Sequence, residues 1–193
     1  MRDDRQFIID MFHKVKNEGY VRSDRKNDTG IGKTFEDRMK VIENNRDEPD
    51  LAGYEIKSHR DKSNSYTTLF TKAPDFPKKA NVMLNINFGT PYNNAPDLNR
   101  LHTSMFASKF NTYEGKYSFR IINDRNAKVL KIGVYDINEH QLINDTVGYN
   151  YSTIETILKR KLKKLFYVSA ERRFEDGCEE FYFNHAEIYT EPS

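Results

Sequence analysis

The sequence predicts an α/β protein, a mixed β-sheet flanked by helices. Apolar residues repeat at helical spacing near the N-terminus, and a second helical stretch follows late in the chain. Runs rich in β-branched and aromatic residues lie between and after these, and no Gly-, Ser- or Pro-rich linker divides the two kinds of segment. At 193 residues the chain is expected to fold as a single domain with an adequate core.

Phe7, Ile8, Met11, Phe12 and Val15 share one helical face and predict a first amphipathic helix that ends at Gly19. Arg22 to Gly32 is polar and reads as a loop. Thr34 is a suitable N-cap for a second helix over Phe35 to Asn45, where Glu36 and Glu43 stand two turns apart on one face. Strands are expected at Gly53 to Ser58, Tyr66 to Thr71, Val82 to Phe88, Tyr117 to Ile122 and Val129 to Tyr135. Asn123-Asp124-Arg125-Asn126 would turn the last two into a hairpin. A helix over Ser152 to Lys164 and strands at Phe166 to Ala170 and Glu180 to Asn184 complete the sheet, with no internal repeat.

Chemistry concentrates in Asp50-Leu51-Ala52-Gly53-Tyr54-Glu55-Ile56-Lys57. A strand has a side-chain period of two, so Glu55 and Lys57 leave one face roughly 6 to 7 Å apart while Tyr54 and Ile56 point into a core. Pro49-Asp50-Leu51-Ala52-Gly53 has the composition of a turn that brings the Asp50 carboxylate back toward the strand. Two hard carboxylates suit Mg²⁺, which keeps several waters for a substrate phosphate to displace, and an amine beside them suits phosphodiester hydrolysis. Glu36 is a candidate third carboxylate; its competing explanation is an acid complementing the dipole of a helix first turn.

The competing reading of the whole motif is a solvated strand face with charge pairs. Glu-x-Lys recurs at Glu114-Gly115-Lys116, where the central Gly and the preceding Asn111, Thr112 and Tyr113 indicate a loop. Pro-Asp recurs at Pro74-Asp75 and Pro96-Asp97 without Glu-x-Lys a short way beyond. Only the first copy has every part on a plausible strand.

Separated motifs strengthen the nuclease reading. Gly30-Ile31-Gly32-Lys33-Thr34-Phe35-Glu36, Glu48-Pro49-Asp50, Gly53 to His59, Thr68-Leu69-Phe70-Thr71-Lys72-Ala73-Pro74, Tyr167-Val168-Ser169-Ala170-Glu171 and Phe181 to Thr190 occur in order. Together they resemble the MvaI/BcnI family of restriction endonucleases, related to the MutH nicking enzyme among the PD-(D/E)xK nucleases. The resemblance implies a restriction-endonuclease-like PD-(D/E)xK core and a Mg²⁺-dependent type II enzyme that cuts double-stranded DNA at a short site as a monomer. It assigns Asp50 and Glu55 to the metal, Lys57 to the attacking water and Glu36 to a supporting role. The expected companion is a cognate DNA methyltransferase or a separately encoded C-terminal segment, and the single cysteine with no membrane-length apolar run or signal-peptide core predicts a cytoplasmic protein. The family continues past the position of Thr190 into a segment rich in Arg, Gly and His, whereas this chain stops at Glu191-Pro192-Ser193. On that ground the chain is expected to be truncated at its C-terminus, or completed by a separately encoded segment. The alternatives are a remnant that binds DNA without specific cleavage and a MutH-like nicking enzyme.

Other features narrow the field. A net charge of +2 does not by itself predict a nucleic-acid partner. Arg22, Arg25, Lys26 and Lys33 surround the glycine-containing loop, making Arg25, Lys26 and Lys33 candidate DNA contacts, with Lys72 a candidate phosphate contact. Lys159, Arg160, Lys161, Lys163 and Lys164 read as a solvated helix face. The lone Cys178 excludes an internal disulfide and a Cys-rich zinc site. No apolar run approaches a membrane span, and the charged N-terminus lacks a signal-peptide core. Asn27 to Thr34 comes close to a phosphate-binding P-loop but has Asn27 where Gly is required and no apolar strand before it. His59 reads as a surface residue at a strand end rather than a general base. The aromatics at Tyr117-Ser118-Phe119, Phe166-Tyr167 and Phe181-Tyr182-Phe183 read as buried faces rather than base-stacking platforms.

Overall fold

The computed structural model describes residues 3–25, 29–41, 49–61 and 66–190. In chain order the elements are α1 (Asp4–Asn17), β1 (Tyr20–Arg22), α2 (Gly30–Arg38), β2 (Glu55–Arg60), α3 (Ala80–Phe88), β3 (Thr90–Tyr92), β4 (Ala95–Arg100), β5 (Tyr117–Asp124), β6 (Val129–Asp136), β7 (Leu142–Asn150), α4 (Tyr151–Lys161), β8 (Lys164–Glu175) and β9 (Cys178–Thr190). They fall into two compact units, residues 1–70 with 157–193 and residues 71–156. No described helix is long and apolar enough to cross a membrane.

The first unit is built on a mixed sheet of order β1-β9-β8-β2. β2 runs parallel to β8, with Glu55 opposite Leu165 and Arg60 opposite Ala170, and the other pairs are antiparallel. Asp3 caps α1 by accepting the Arg5 N–H at 3.1 Å. Ile8, Phe12 and Val15 of α1 are buried, as their spacing predicts. Phe12 and Phe35 both pack on Phe166 of β8, and Phe35 also packs on Phe183 of β9, so α1 and α2 cover one face of the sheet. Phe166, Phe181 and Phe183 are buried core, in line with the reading against stacking platforms.

α2 departs from expectation. It begins at Gly30 rather than Phe35 and ends at Arg38, and the predicted stretch beyond Val41 lies outside the described residues. Thr34 is therefore not an N-cap; it is a buried mid-helix residue whose Oγ1 accepts the Asp24 N–H at 3.0 Å. Packing overrides the poor helix propensity of the two glycines. Ile31 and Phe35 bury one helix face, and Gly30 sits so close to the preceding chain that a Cβ there would lie 2.5 Å from the Arg25 carbonyl oxygen.

The second unit holds the β3-β4 hairpin and the β5-β6-β7 meander. Ala80, Leu84, Phe88, Tyr113, Phe119, Ile132, Val134 and Val147 form its core. The β5-β6 hairpin appears where the sequence placed it, closed by Asp124 opposite Val129. The predicted strand at Val82 to Phe88 is instead α3. Its buried residues Ala80, Leu84 and Phe88 are four apart, a helical period, whereas Val82 and Ile86 are 53% and 67% exposed. Residues 66–74, expected to include a strand, have no regular secondary structure. Glu114 and Gly115 lie at positive φ in a turn bridged by Tyr113 and Tyr117, so the second Glu-x-Lys is not on a strand, as expected.

Candidate active site

The site grows from a tight reversal. Leu51 N–H donates to the Tyr54 carbonyl at 3.1 Å and Tyr54 N–H to the Leu51 carbonyl at 2.8 Å. The two residues between, Ala52 and Gly53, have φ of 49° and 76°. Positive φ at both central positions is the signature of the turn that matches strand twist, and Gly53 adopts it without a Cβ clash. The reversal brings the Asp50 side chain back onto the strand, where Oδ2 accepts the Ile56 N–H at 2.7 Å.

β2 then presents its residues alternately. Tyr54 and Ile56 are buried in the core, and burial pushes the Tyr54 phenol up, keeping it neutral. On the other face Glu55 is buried at 4% exposure and its Oε1 lies 2.5 Å from Lys57 Nζ. A carboxylate this deep requires a cationic partner, because its unpaired charge would be costly. No three His, Cys, Asp or Glu side chains among the described residues converge on a metal site.

A cavity of about 1090 Å³ follows β2, the edge strand of its sheet. One wall is α2 with its N-cap Thr29: Thr29, Gly32, Lys33 and Glu36 fall at the i, i+3, i+4, i+7 spacing of one helix face, and Ile31 lines the cavity beside them. The opposite wall is β2 from Ile56 through Arg60, continuing into Asp61. Glu36, Lys57, Lys33 and Arg25 thus share one cavity, with Lys33 also paired to Asp37 at 2.8 Å. Glu36 lies past the first turn of α2, so the helix-dipole explanation of this acid does not apply. Lys72 lies in the second unit, 3.5 Å from Asp75, and Lys26 lies outside the described residues.

Several lining residues escaped the sequence reading. Arg60 is clamped by Glu179, with Nε at 3.1 Å and Nη2 at 3.4 Å, and its guanidinium lies over the Phe181 ring. Arg172 also lines the cavity, 3.7 Å from Glu179. These residues are more than a hundred positions apart and meet only because β2 pairs parallel to β8, a contact without local signal. His59, near the end of β2, lines the cavity too and stacks near Tyr167.

The fold is that of a solved enzyme. Restriction endonuclease MvaI, in complex with its cognate DNA substrate, matches with a TM-score of 0.91 at 31% identity, over 98% of this chain and 76% of that one. MvaI in the absence of DNA matches with a TM-score of 0.58 at 30% identity, over 98% and 75%. No curated protein matches. Fold and relatives together define an enzyme of the restriction-endonuclease class. The description of the MvaI/BcnI restriction endonuclease family matches residues 9–193, and the chain belongs to that family.

Proposed function

We propose that this chain is a Mg²⁺-dependent type II restriction endonuclease that hydrolyses phosphodiester bonds of double-stranded DNA at a short specific site. The observation that carries the proposal is one turn-and-strand segment in which Asp50 is held by the Ile56 N–H and buried Glu55 by Lys57, with Lys57 lining a cavity whose other wall carries Glu36.

The donor set fits the metal. Asp50 and Glu55 each commit one oxygen within the protein, and hard carboxylate oxygens in twos are what Mg²⁺ accepts from a protein that leaves its other positions to water and phosphate. Bound there, the ion would supply charge neutralisation at phosphorus and a lowered pKa for water. Asp50 and Glu55 would hold it. Lys57 orients the attacking water by hydrogen bonding and favours its hydroxide form by charge. Glu36, from α2, would support the site as an acceptor for water. Attack forms one P–O bond and breaks another, leaving a phosphomonoester and a free hydroxyl. Arg25 and Lys33, which line the cavity, take backbone phosphates in this reading, and so does Lys72 of the second unit.

The likeness to a structure holding cognate DNA supports duplex DNA as the partner. A methyltransferase protecting the same sequence is the companion such an activity requires, since unmodified host sites would be cut. The chain is proposed to act as a monomer in the cytoplasm. The test is cleavage of supercoiled plasmid with Mg²⁺ by the 193-residue chain, with Lys57→Ala as matched control. Discrete fragments absent from the control are expected; equal cleavage by both proteins would refute the assignment of Lys57.

A further inference from the structure

Two glycines two residues apart in α2 stand in opposite circumstances. A Cβ on Gly30 would lie 2.5 Å from the Arg25 carbonyl oxygen and 2.7 Å from Ser23 Oγ, so the fold itself demands glycine there. A Cβ on Gly32 would meet nothing within 4 Å among the described residues, and Gly32 is not at positive φ. Neither sterics nor backbone conformation requires glycine at position 32. Yet glycine inside a helix is the least favourable residue after proline. Gly32 faces the cavity, between Thr29 and Glu36 on the helix face opposite β2 and Lys57.

We infer that Gly32 is a close-approach point for the substrate: the strand being cleaved packs its sugar-phosphate backbone against the bare Cα of α2 while its scissile phosphate sits at Asp50, Glu55 and Lys57. Missing side-chain volume that the fold does not use is volume kept for a ligand that comes within van der Waals distance. The neighbours fit a polyanion, since Lys33 follows Gly32 in the helix and Arg25 shares the cavity lining. Thr29 and Gly32 add no acidic or bulky group there, and Glu36 is one turn further along. This reading rests on the nuclease proposal, and it makes Gly32 a positioning residue rather than a catalytic one.

The two requirements separate in variants. Gly32→Ala and Gly32→Leu both introduce strong helix formers, so each should raise the unfolding temperature by about 2 °C, the shift expected when a helical glycine is replaced in a chain of this size. Duplex affinity is read by anisotropy on a labelled mixed-sequence duplex with Ca²⁺ in place of Mg²⁺, and cleavage on plasmid with Mg²⁺. Gly32→Ala should weaken both about tenfold, through KM more than kcat, and Gly32→Leu by about a hundredfold or more, the scale of one to two steric penalties of ~1.4 kcal/mol each. Gly30→Ala should instead lower the unfolding temperature. Wild-type binding and cleavage in Gly32→Leu would overturn the inference, and so would a lowered unfolding temperature in Gly32→Ala, which would make this glycine structural. Absence of binding and cleavage in the unaltered protein would overturn the nuclease proposal itself, a result distinct from either.

Discussion

Asp50 has two jobs that substitution can separate. Its Oδ2 accepts the Ile56 N–H at 2.7 Å, which locks the turn onto β2, and its charge is proposed to hold the metal. Asp50→Ala removes both. A hydrogen bond to a charged acceptor contributes about 1.5–3 kcal/mol, and 1 kcal/mol moves the unfolding temperature of a chain of this size by about 2–4 °C, so Asp50→Ala should unfold roughly 3–12 °C lower. Asp50→Asn keeps an oxygen for the Ile56 N–H and forgoes only the charge assistance, about half of that stabilisation. Both should lose cleavage by a factor on the order of 10²–10³ or more, the scale seen when one group stabilising the transition state is removed. The assay pairs thermal unfolding, with EDTA and with Mg²⁺, with plasmid cleavage. In the unaltered protein Mg²⁺ at ten times its dissociation constant should add about 1.4 kcal/mol of stability, and this increment should vanish in Asp50→Asn. Cleavage by Asp50→Asn within about tenfold of the unaltered protein would refute the metal assignment. Equal unfolding temperatures for the Ala and Asn variants would refute the structural half of the argument.

Lys57→Met should abolish cleavage and also destabilise by about 1–3 kcal/mol, because Glu55 remains buried without its cation, and Glu55→Gln in the same chain should restore the stability but not the activity; denaturant melts of both decide it. Gly148→Ala places a Cβ 2.6 Å from the Leu130 carbonyl oxygen and 2.7 Å from the Phe76 ring, and should lower stability by about 1–3 kcal/mol; an unchanged denaturation midpoint would show that the meander yields there. Asp75 is partly desolvated, which raises its pKa, but the Asn150 N–H, the Thr153 hydroxyl and Lys72 outweigh this and hold the carboxyl below its ordinary value. Its contribution is therefore fully present above the unfolded carboxylate pKa of about 3.9 and is lost as pH falls through the lower folded value. Asp75→Asn should flatten that acid limb in a pH series of unfolding midpoints, and an unaltered limb would rule it out.

The centre of the site was legible because it is local. Asp50 to Lys57 spans one turn and one strand, and both report themselves through short-range chemistry: Ala52-Gly53 supplies the positive φ, and period-two alternation sorts Glu55 and Lys57 from Tyr54 and Ile56. The wall formed by α2 was misplaced because its start is set by a contact with Arg25 and Ser23, which no propensity encodes. α3 was misread for a related reason. Val82, Leu84, Ile86 and Phe88 alternate with other residues as a strand would, and only the core around Phe119 and Val134 selects the period of four. β7 and the β3-β4 hairpin were not anticipated, since much of their surface is exposed and their identity as strands comes from pairing partners.

The same contrast explains why the two glycines of α2 were hard to interpret from sequence and informative in the structure. In the chain, Gly30-Ile31-Gly32 suggests a loop, and both glycines invite one explanation. In the fold they separate: Gly30 is filled on its Cβ side by protein, whereas Gly32 is bare on a cavity wall. A helix that tolerates a glycine it has no steric use for is less stable than it need be, by roughly 1 kcal/mol. Local disagreement between propensity and observed structure concentrates where a protein serves a ligand rather than its own stability. Ala52 points the same way: a non-glycine residue at φ 49° is held in a sparsely populated conformation one turn from Asp50. One departure is two residues from Asp50 and the other lines the cavity with Lys57, so the site is marked by strain and empty volume as well as by its charges.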